Sequence, residues 1–150
     1  MEDFVEERVS IREIRVDDTK AIQGIRIAIS EEDAQVDFQK LVEQHISDGN
    51  GQTSLVAQVD GMVAGYMIST TLYAGFGIGK SAWIVSFGVH PDHMGKGIGL
   101  KLANRVCDIY KEKGVSSIYS SVMWDSIDVL SFFKKLGFKR SEFINLKKDL

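Results

Sequence analysis

Residues 89–101 read Val89-His90-Pro91-Asp92-His93-Met94-Gly95-Lys96-Gly97-Ile98-Gly99-Leu100-Lys101. Three glycines at alternate positions follow an apolar stretch that ends at the proline, and they lead into an amphipathic pattern. Glycine allows the backbone to approach a ligand closely because it has no Cβ. The first turn of a helix presents amide N–H groups without intrahelical acceptors, and the helix dipole favours an anion beside them. The segment therefore predicts a strand, a turn and a helix N-terminus that binds phosphate or pyrophosphate, with a plain flexible turn as the alternative.

Upstream of this segment, the spacing of apolar residues predicts a strand, two helices and a hairpin. Asp60-Gly61 separates two apolar runs, and this dipeptide in such a position is a strong signal for a two-residue hairpin turn. The predicted elements are a strand over 9–16, a helix from Asp17 or Asp18 to about Ser30, a helix over 34–47, and hairpin strands over 54–59 and 62–71.

Downstream, two further helices alternate with strands. The predicted elements are a strand over 82–89, a helix over 97–113, a strand over 115–123, a helix over 126–136, and at least one strand within 138–150. The order βααβββαβαβ predicts an α/β fold, or α+β by stricter definitions. Its central sheet is expected to be mixed, mainly antiparallel and flanked by helices, in a single domain that spans residues 1–150.

Composition limits the class of function. The chain has 150 residues, of which 44% are hydrophobic and 26% charged, and its net charge of −3 argues against binding to the phosphate backbone of a nucleic acid. Neither a signal peptide nor a membrane-spanning run is visible, so we expect no membrane association. A single cysteine, Cys107, favours a reducing, cytoplasmic compartment and lies in a helical apolar pattern typical of packing. The spacing of His45, His90 and His93 is not that of metal ligands, so no metal is expected.

A second glycine-rich segment resembles a phosphate-binding loop. Residues 74–81 fit a loose Walker A pattern with alanine in place of the first glycine. Such a loop requires a helix after it, whereas the following residues, 83–87, are aromatic and β-branched and indicate a strand. We therefore expect a connection between two strands and regard a nucleotide hydrolase as a distant alternative.

With these elements in place, the chain resembles the GNAT N-acetyltransferase superfamily. The signature Arg/Gln-x-x-Gly-x-Gly/Ala corresponds to residues 94–99, where Met94 replaces Arg or Gln. The order of the elements and the closing Gly137-Phe138 also fit the family over nearly the whole chain. The resemblance implies transfer of an acetyl group from acetyl-coenzyme A to a primary amine by direct attack in a ternary complex.

The resemblance also implies where the cofactor binds. Backbone groups of the strand before the glycine motif pair with pantetheine, one N–H of this strand end stabilises the oxyanion, and the motif amides hold the pyrophosphate. The residues expected to contact the cofactor are Phe87, Gly88, Val89, Met94, Gly95, Lys96, Gly97, Ile98, Gly99, Leu100, Ser126 and Phe133.

The closing helix departs from the family pattern at the residues that carry chemistry. Phe133 stands where the family often has a tyrosine that acts as general acid, and Ser126 stands where it has an asparagine. Trp83 and Ser121 occupy the two positions at which members of the family place a glutamate that acts as base. Three accounts remain: waters bound to Ser86, Ser121 or Tyr119 carry the protons, His90 acts as base, or the domain binds acyl-coenzyme A without turnover as a sensor or assembly module.

The acceptor is expected to be cationic. The connection between the first two helices carries Glu31, Glu32, Asp33 and Asp37, which would attract a polyamine, an aminoglycoside or a lysine-bearing peptide. Favourable interaction with a helix dipole is the alternative explanation of these charges. Trp83 and Tyr73 are candidates for aromatic walls, and Trp124 for lining the cleft or forming an interface. Dimers are common in the family, which makes a homodimer compatible with the resemblance.

Overall fold

The computed structural model describes residues 8–30, 37–49, 51–74 and 79–150, and these ranges contain five strands, four α-helices and three short 3-10 turns. Their order agrees with the prediction as far as the last helix. The strands are β1 (Val9–Glu13), β2 (Leu55–Val59), β3 (Met62–Ala74), β4 (Gly79–Val89) and β5 (Ile118–Ser120), and the helices are α1 (Thr19–Ile29), α2 (Phe38–Ser47), α3 (Ile98–Glu112) and α4 (Ile127–Lys135).

The strands form one sheet in the order β1-β2-β3-β4-β5. All neighbouring pairs are antiparallel except β4 and β5, which are parallel. The turn between β2 and β3 has positive φ at both central residues, +50° at Asp60 and +83° at Gly61, as a two-residue hairpin requires. The mixed, mainly antiparallel sheet predicted from the sequence is therefore confirmed.

Helices cover both faces of the sheet. On one face, α3 and α4 pack on a core that includes Leu102, Val106 and Phe133. On the other face, α1 and α2 pack on a smaller core that includes Ile22, Val42 and Tyr66. The alternation of side chains along β3 separates the two cores, since neighbouring residues of a strand point to opposite faces.

The prediction of a last strand within 138–150 is wrong, because this segment has no regular secondary structure. The predicted strand over 115–123 is likewise reduced to the three residues of β5. Apolar alternation alone does not create a strand, since a strand also requires a partner edge to which its backbone can bond. The C-terminal segment instead contacts the residue that follows β5, since Asn145 Nδ2 donates to Ser121 Oγ over 2.9 Å.

Two other predictions include residues outside the described ranges. The second helix was expected from residue 34, and the structure describes it from Phe38, after a described Asp37 that accepts a hydrogen bond from Lys40 N. The loose Walker A pattern includes residues 75–78, which are also outside these ranges. Strand β4 begins at Gly79, so a strand follows this segment, in agreement with the prediction. Among the described residues, no helix has the length and apolar character needed to cross a bilayer.

Candidate active site

The site is built around a gap between β4 and β5. Strand β4 pairs with β3 along its whole length, from Gly79 to Val89, but it pairs with β5 only from Ala82 to Ile84. Residues 85–89 therefore have a sheet neighbour on one side only. Because alternate residues of an antiparallel strand direct their N–H and C=O groups to opposite edges, part of this stretch presents backbone donors and acceptors to the gap.

A β-bulge lies where the gap opens. The β3–β4 register passes from Ser69 opposite Ile84 to Ile68 opposite Ser86, so Val85 is an extra residue on β4. Bulges redirect the strand and its side chains. Val85 is 55% exposed, whereas Ile84 beside it is buried, and the bulge thus marks the point at which β4 leaves β5.

The glycine motif forms the turn that was predicted from the sequence. Gly95 and Gly97 have φ values of +80° and +76°, and a Cβ placed on either would meet no atom within 4 Å. Both glycines thus combine a left-handed backbone with open space on their surface. Gly97 is the N-cap of α3, whose first backbone hydrogen bond runs from Lys101 N to Gly97 O over 3.0 Å. The N–H groups of residues 98–100 precede this bond and belong to the orphan donors of the first turn.

The side chains of the motif divide between surface and core. Met94 is exposed, as is Lys96, while Ile98 is buried and packs with the core beneath α3. A Cβ on Gly99 would lie 3.1 Å from Phe132, so this glycine lets α3 approach α4. Of the predicted contacts, Ile98 and Gly99 therefore offer a ligand their backbone only, and their residue type is explained by packing.

Gly88 has a similar structural role on the opposite face of β4. A Cβ at this position would lie 2.8 Å from Ile29 and 3.1 Å from Tyr66. The glycine therefore allows α1 to pack directly on the open stretch of β4. Its neighbours Phe87 and Val89 face the other core.

Four aromatic rings connect the open stretch of β4 to α4. Phe87 stacks on Phe132 with ring centroids 5.1 Å apart, and it meets the edge of Phe133 at 5.5 Å. Phe133 is buried and also contacts Phe138 at 4.8 Å. The ring that replaces the family's tyrosine therefore lies directly against the strand expected to pair with pantetheine. Ser126 is the N-cap of α4, but its side chain makes no capping hydrogen bond.

The three predicted catalytic residues lie in different surroundings. Tyr119 stacks on Trp83 with centroids 4.9 Å and planes 24° apart, and both rings are partly exposed. Ser121 follows the end of β5 and accepts the hydrogen bond from Asn145. His90 uses Nδ1 to accept from Asp92 N over 3.1 Å, so this nitrogen caps the short turn after β4. The same nitrogen lies 3.6 Å from Asp92 Oδ2, so Nε2 is the nitrogen that points away from Asp92 and can serve another partner.

The hydrogen-bond partner of Ser86 is Tyr66, which was not predicted from the sequence. The Tyr66 hydroxyl lies 3.1 Å from Ser86 Oγ, on the face of the sheet that α1 covers. Burial of the ring raises the pKa of Tyr66, while hydrogen bonds with Ser86 and Arg26 and the charge of Arg26 oppose the shift. The phenol therefore stays protonated at neutral pH. The signal available in the sequence was the position of Tyr66 among the buried residues of its strand. A buried tyrosine hydroxyl requires a hydrogen-bond partner.

His45 is also placed differently from the expectation of a surface residue. It is half-buried, and Nε2 contacts both Ser69 O and Ser54 Oγ, the latter at 2.7 Å. Because the carbonyl can only accept, Nε2 carries a proton. Burial lowers the pKa of His45, although the bond to Ser69 and the charge of Asp48 oppose the shift. The side chain joins α2 to β3, and the signal in the sequence was its spacing of three residues from the buried Val42.

The other residues considered for the acceptor cleft, for nucleophilic catalysis and for metal binding add little to the site. Glu31, Glu32 and Asp33 lie outside the described residues, and Asp37 is exposed at the start of α2. Tyr73, near the end of β3, is 84% exposed. Cys107 is half-buried, and burial together with the charge of Asp108 raises the pKa of its thiol, which disfavours a nucleophilic role. The described residues contain no cluster of three side chains able to ligate a metal.

Comparisons with known proteins agree with this architecture. Among solved structures, the chain is similar to a possible acetyltransferase from Clostridium difficile 630, with a TM-score of 0.76 and 22% identity over 96% of this chain and 99% of that one. It is also similar to Arabidopsis thaliana Naa50 in complex with the bisubstrate analogue CoA-Ac-MVNAL, with a TM-score of 0.69 and 20% identity over 93% and 91% of the two chains.

A third similar structure is the aminoglycoside acetyltransferase meta-AAC0020 from an uncultured soil metagenomic sample, in complex with sisomicin. Its TM-score is 0.73, with 18% identity over 95% of this chain and 96% of that one. At these identities the solved structures show the common fold. The family model described as acetyltransferase (GNAT) family matches residues 9–138. This match covers most of the chain, from β1 to the residue after Gly137, and the chain therefore belongs to the GNAT acetyltransferase family.

Proposed function

We propose that this protein transfers an acetyl group from acetyl-coenzyme A to a primary amine that attacks directly in a ternary complex. The observation that carries the proposal is that two binding features follow each other along the chain. The open edge of β4 over residues 85–89 is followed within a few residues by the left-handed turn at Gly95 and Gly97. An extended pantetheine and a pyrophosphate require such a sequence of backbone donors along one path.

The residues present fit acetyl-coenzyme A. A Cβ placed on Gly95 or Gly97 would meet no atom within 4 Å, so the space beside this turn is open. The N–H donors of the first turn of α3 begin directly after Gly97. Lys96 and Lys101 supply positive charge on the exposed side. When bound, acetyl-coenzyme A supplies an acyl group activated as a thioester. The chain's own contribution is to hold it, to orient it toward the gap and to donate a hydrogen bond to the carbonyl oxygen.

The reaction requires two proton movements. The amine nitrogen loses a proton as the C–N bond forms, and the sulfur takes one as the C–S bond breaks. Ser86 lies on the open stretch of β4, and its hydroxyl is bonded to a phenol that keeps its proton. We assign to this pair, acting through water, the donation of a proton to the departing sulfur. Tyr119 and Ser121 orient the amine and hold the water that takes the proton from its nitrogen. His90, through Nε2, is the alternative acceptor of that proton.

The acceptor side combines aromatic and polar groups. The stacked pair of Trp83 and Tyr119 offers a ring face to an alkylammonium group. The similar structures include complexes with a peptide-containing analogue and with an aminoglycoside, which leaves both classes of amine open for this chain. Cationic acceptors are favoured by the sequence of the connection between α1 and α2.

The test is amine-dependent release of coenzyme A thiol. Purified protein with acetyl-coenzyme A is offered polyamines, aminoglycosides and peptides with lysine or free N-terminal amines, and thiol release is followed with and without amine. We expect release only with amine, together with a mass increase of one acetyl group on the acceptor. Titration calorimetry on the same batch measures binding of acetyl-coenzyme A.

The outcomes separate the two functions that the sequence left open. Binding without release, with any amine of the panel, favours a silent acyl-coenzyme A sensor, for which the replacement of the tyrosine by Phe133 is the specific argument. Release without amine indicates hydrolysis and contradicts the transferase. Absence of binding contradicts both functions, because both depend on the turn at Gly95 and Gly97.

A further inference from the structure

One charged side chain lies on the inward face of α1. Ile22, Ile25 and Ile29 follow the three- and four-residue spacing of a helix face, and Ile22 and Ile25 are buried in the core beneath this helix. Arg26 has the same spacing, four residues after Ile22 and three before Ile29, and its side chain is partly buried. Charged side chains are seldom placed toward a core without a partner, so the position of Arg26 requires an explanation.

A partner of Arg26 lies on the sheet below it. Tyr66 stands opposite Gly88 in the β3–β4 register, and residues opposite each other in an antiparallel pair share a face of the sheet. Because Gly88 has no Cβ, Ile25 and Ile29 approach this part of β4 closely. At this close approach the guanidinium of Arg26 forms a hydrogen bond with the Tyr66 hydroxyl. The positive charge therefore lies next to the phenol oxygen.

The chemistry of these groups fixes the direction of their hydrogen bonds. A guanidinium can only donate, so the Tyr66 oxygen accepts from Arg26. Tyr66 is 2% exposed, and its own O–H therefore also requires an acceptor, which Ser86 Oγ provides at 3.1 Å. Since Ser86 Oγ accepts from the phenol, its own proton is available to a group in the gap, beyond the last residue pair of β4 and β5 at Ile84 and Ser120.

We propose that Arg26 is a positioning residue of the transfer reaction, which fixes the direction of the hydrogen bonds through Tyr66 to Ser86 and stabilises the charge that forms on the phenol oxygen. The inference rests on the proposed function, to which it adds a third residue. Arginine suits this role because its guanidinium donates but cannot accept, and because it stays protonated in proteins.

The protons and charges of the step balance along this chain of groups. As the C–S bond breaks, Ser86 passes its proton through a water to the sulfur and takes the proton of Tyr66. The phenol oxygen then carries the negative charge beside the guanidinium of Arg26, and a nearby opposite charge favours the charged form. Without this cation, the same charge would form in a buried site at a higher cost. The phenol regains a proton from the water that has taken one from the amine.

The first test measures the effect of Arg26 on Tyr66 in the protein without cofactor. Replacement of the four tyrosines by difluorotyrosine moves their titration toward neutral pH, and fluorine NMR follows each ring, with Tyr66→Phe identifying the signal of Tyr66. Arg26→Gln should raise the pKa of Tyr66, because a positive charge beside the phenolate is removed, and Arg26→Lys should raise it less. Lys20→Gln is the matched control, since it removes the same charge from an exposed position of the same helix, and should leave this pKa unchanged.

The second test is a double-mutant cycle on the kinetics of acetyl transfer. Arg26→Gln should lower kcat about tenfold, the effect of one lost hydrogen bond to a charged group, with the KM of both substrates unchanged. Because Arg26 acts through Tyr66, the addition of Arg26→Gln to Tyr66→Phe should cause no further loss. Arg26→Lys should retain most of the rate, and Lys20→Gln all of it. Thermal unfolding confirms that each variant is folded.

Three results would overturn the proposal. A titration of Tyr66 that is the same in Arg26→Gln and in the parent protein would show that the guanidinium does not act on the phenol. Losses of kcat that add in the double variant would show that the two residues act separately. A higher KM for the amine at unchanged kcat would assign Arg26 to binding of the acceptor.

The two tests also separate this inference from the proposed function. The fluorine titration needs neither cofactor nor turnover, so it decides whether Arg26 acts on Tyr66 even in a protein that transfers no acetyl group. A protein that transfers acetyl groups but shows additive losses contradicts the role of Arg26 alone.

Discussion

Replacement of Gly97 by alanine tests the role of the glycine motif. A Cβ at this position meets no atom within 4 Å, so the only cost in the folded state is the backbone conformation, with φ at +76°. For an L-residue this conformation costs roughly 1–2 kcal/mol. In a chain of this length, a loss of 1 kcal/mol corresponds to a decrease of about 2–4 °C in the melting temperature.

Gly49, which follows α2, provides a matched control. Its φ is +80°, and a Cβ there also meets no atom within 4 Å. Gly49→Ala and Gly97→Ala should therefore destabilise the protein by similar amounts. The two variants should differ in cofactor binding, because only the methyl group of Gly97→Ala lies where the backbone is expected to approach a pyrophosphate.

The expected effect on binding follows from the donors that would be displaced. Hydrogen bonds to charged groups contribute about 1.5–3 kcal/mol each. Loss of one such bond weakens binding by about tenfold to a hundredfold. Titration calorimetry with coenzyme A measures this directly, and S-acetylpantetheine, which lacks the pyrophosphate, should be used equally well by Gly97→Ala and the parent protein.

The reasoning would be refuted by two results. If Gly97→Ala binds coenzyme A as tightly as the parent protein does, the turn does not hold the pyrophosphate. If both variants lose affinity equally, the effect comes from stability rather than from contact. Thermal unfolding of the same samples distinguishes a general loss of structure from either result.

Three further predictions concern the groups around the gap and the buried histidine. Phe133→Tyr should raise kcat about tenfold, because general acid catalysis contributes ~10²–10⁴-fold where geometry is favourable, and should lower stability by about 1 kcal/mol through a buried hydroxyl; steady-state kinetics and thermal unfolding check both. Tyr66→Phe should lower kcat about tenfold, with the KM for acetyl-coenzyme A unchanged, because Ser86 loses its partner; Val63→Ala, on the same strand, controls for packing. The depressed pKa of His45 means that the unfolded chain binds the proton more tightly than the folded one, so stability is complete above the unfolded pKa of about 6.5 and falls as pH decreases toward the folded pKa. His45→Gln should remove this loss, which urea unfolding at neutral and mildly acidic pH measures.

Local signals in the sequence predicted the parts of the fold that depend on local chemistry. Asp60-Gly61 fixed the hairpin because both residues must adopt positive φ, and Gly97 fixed the start of α3 for the same reason. The bounds of α3 agree with the prediction to within a residue at each end, since its apolar spacing is regular over four turns. Both predictions rest on interactions within a few residues of each other.

Features that depend on partners distant in the chain were not predictable in this way. The bulge at Val85 has no glycine to mark it, and it follows from fitting β4 between β3 and a very short β5. The C-terminal segment has apolar residues at strand-like positions but gains no ladder. The partner of Ser86, a tyrosine twenty residues away, is a property of register between two strands. Local periodicity carries no information on such pairings.

The composition of the gap also bears on how the amine is activated. The polar side chains on residues 85–89 of β4 and on residues 118–121 are hydroxyls, from Ser86, Tyr119, Ser120 and Ser121. If these groups only relay protons through water, the pH at which the rate levels off must follow the pKa of the acceptor amine. A lysine-like amine has a pKa of about 10.4 and an N-terminal amine of about 7.7–8.0. The level region should therefore begin roughly two and a half pH units lower for the N-terminal amine. A profile that is the same for both amines would assign proton removal to a protein group, for which His90 is the candidate.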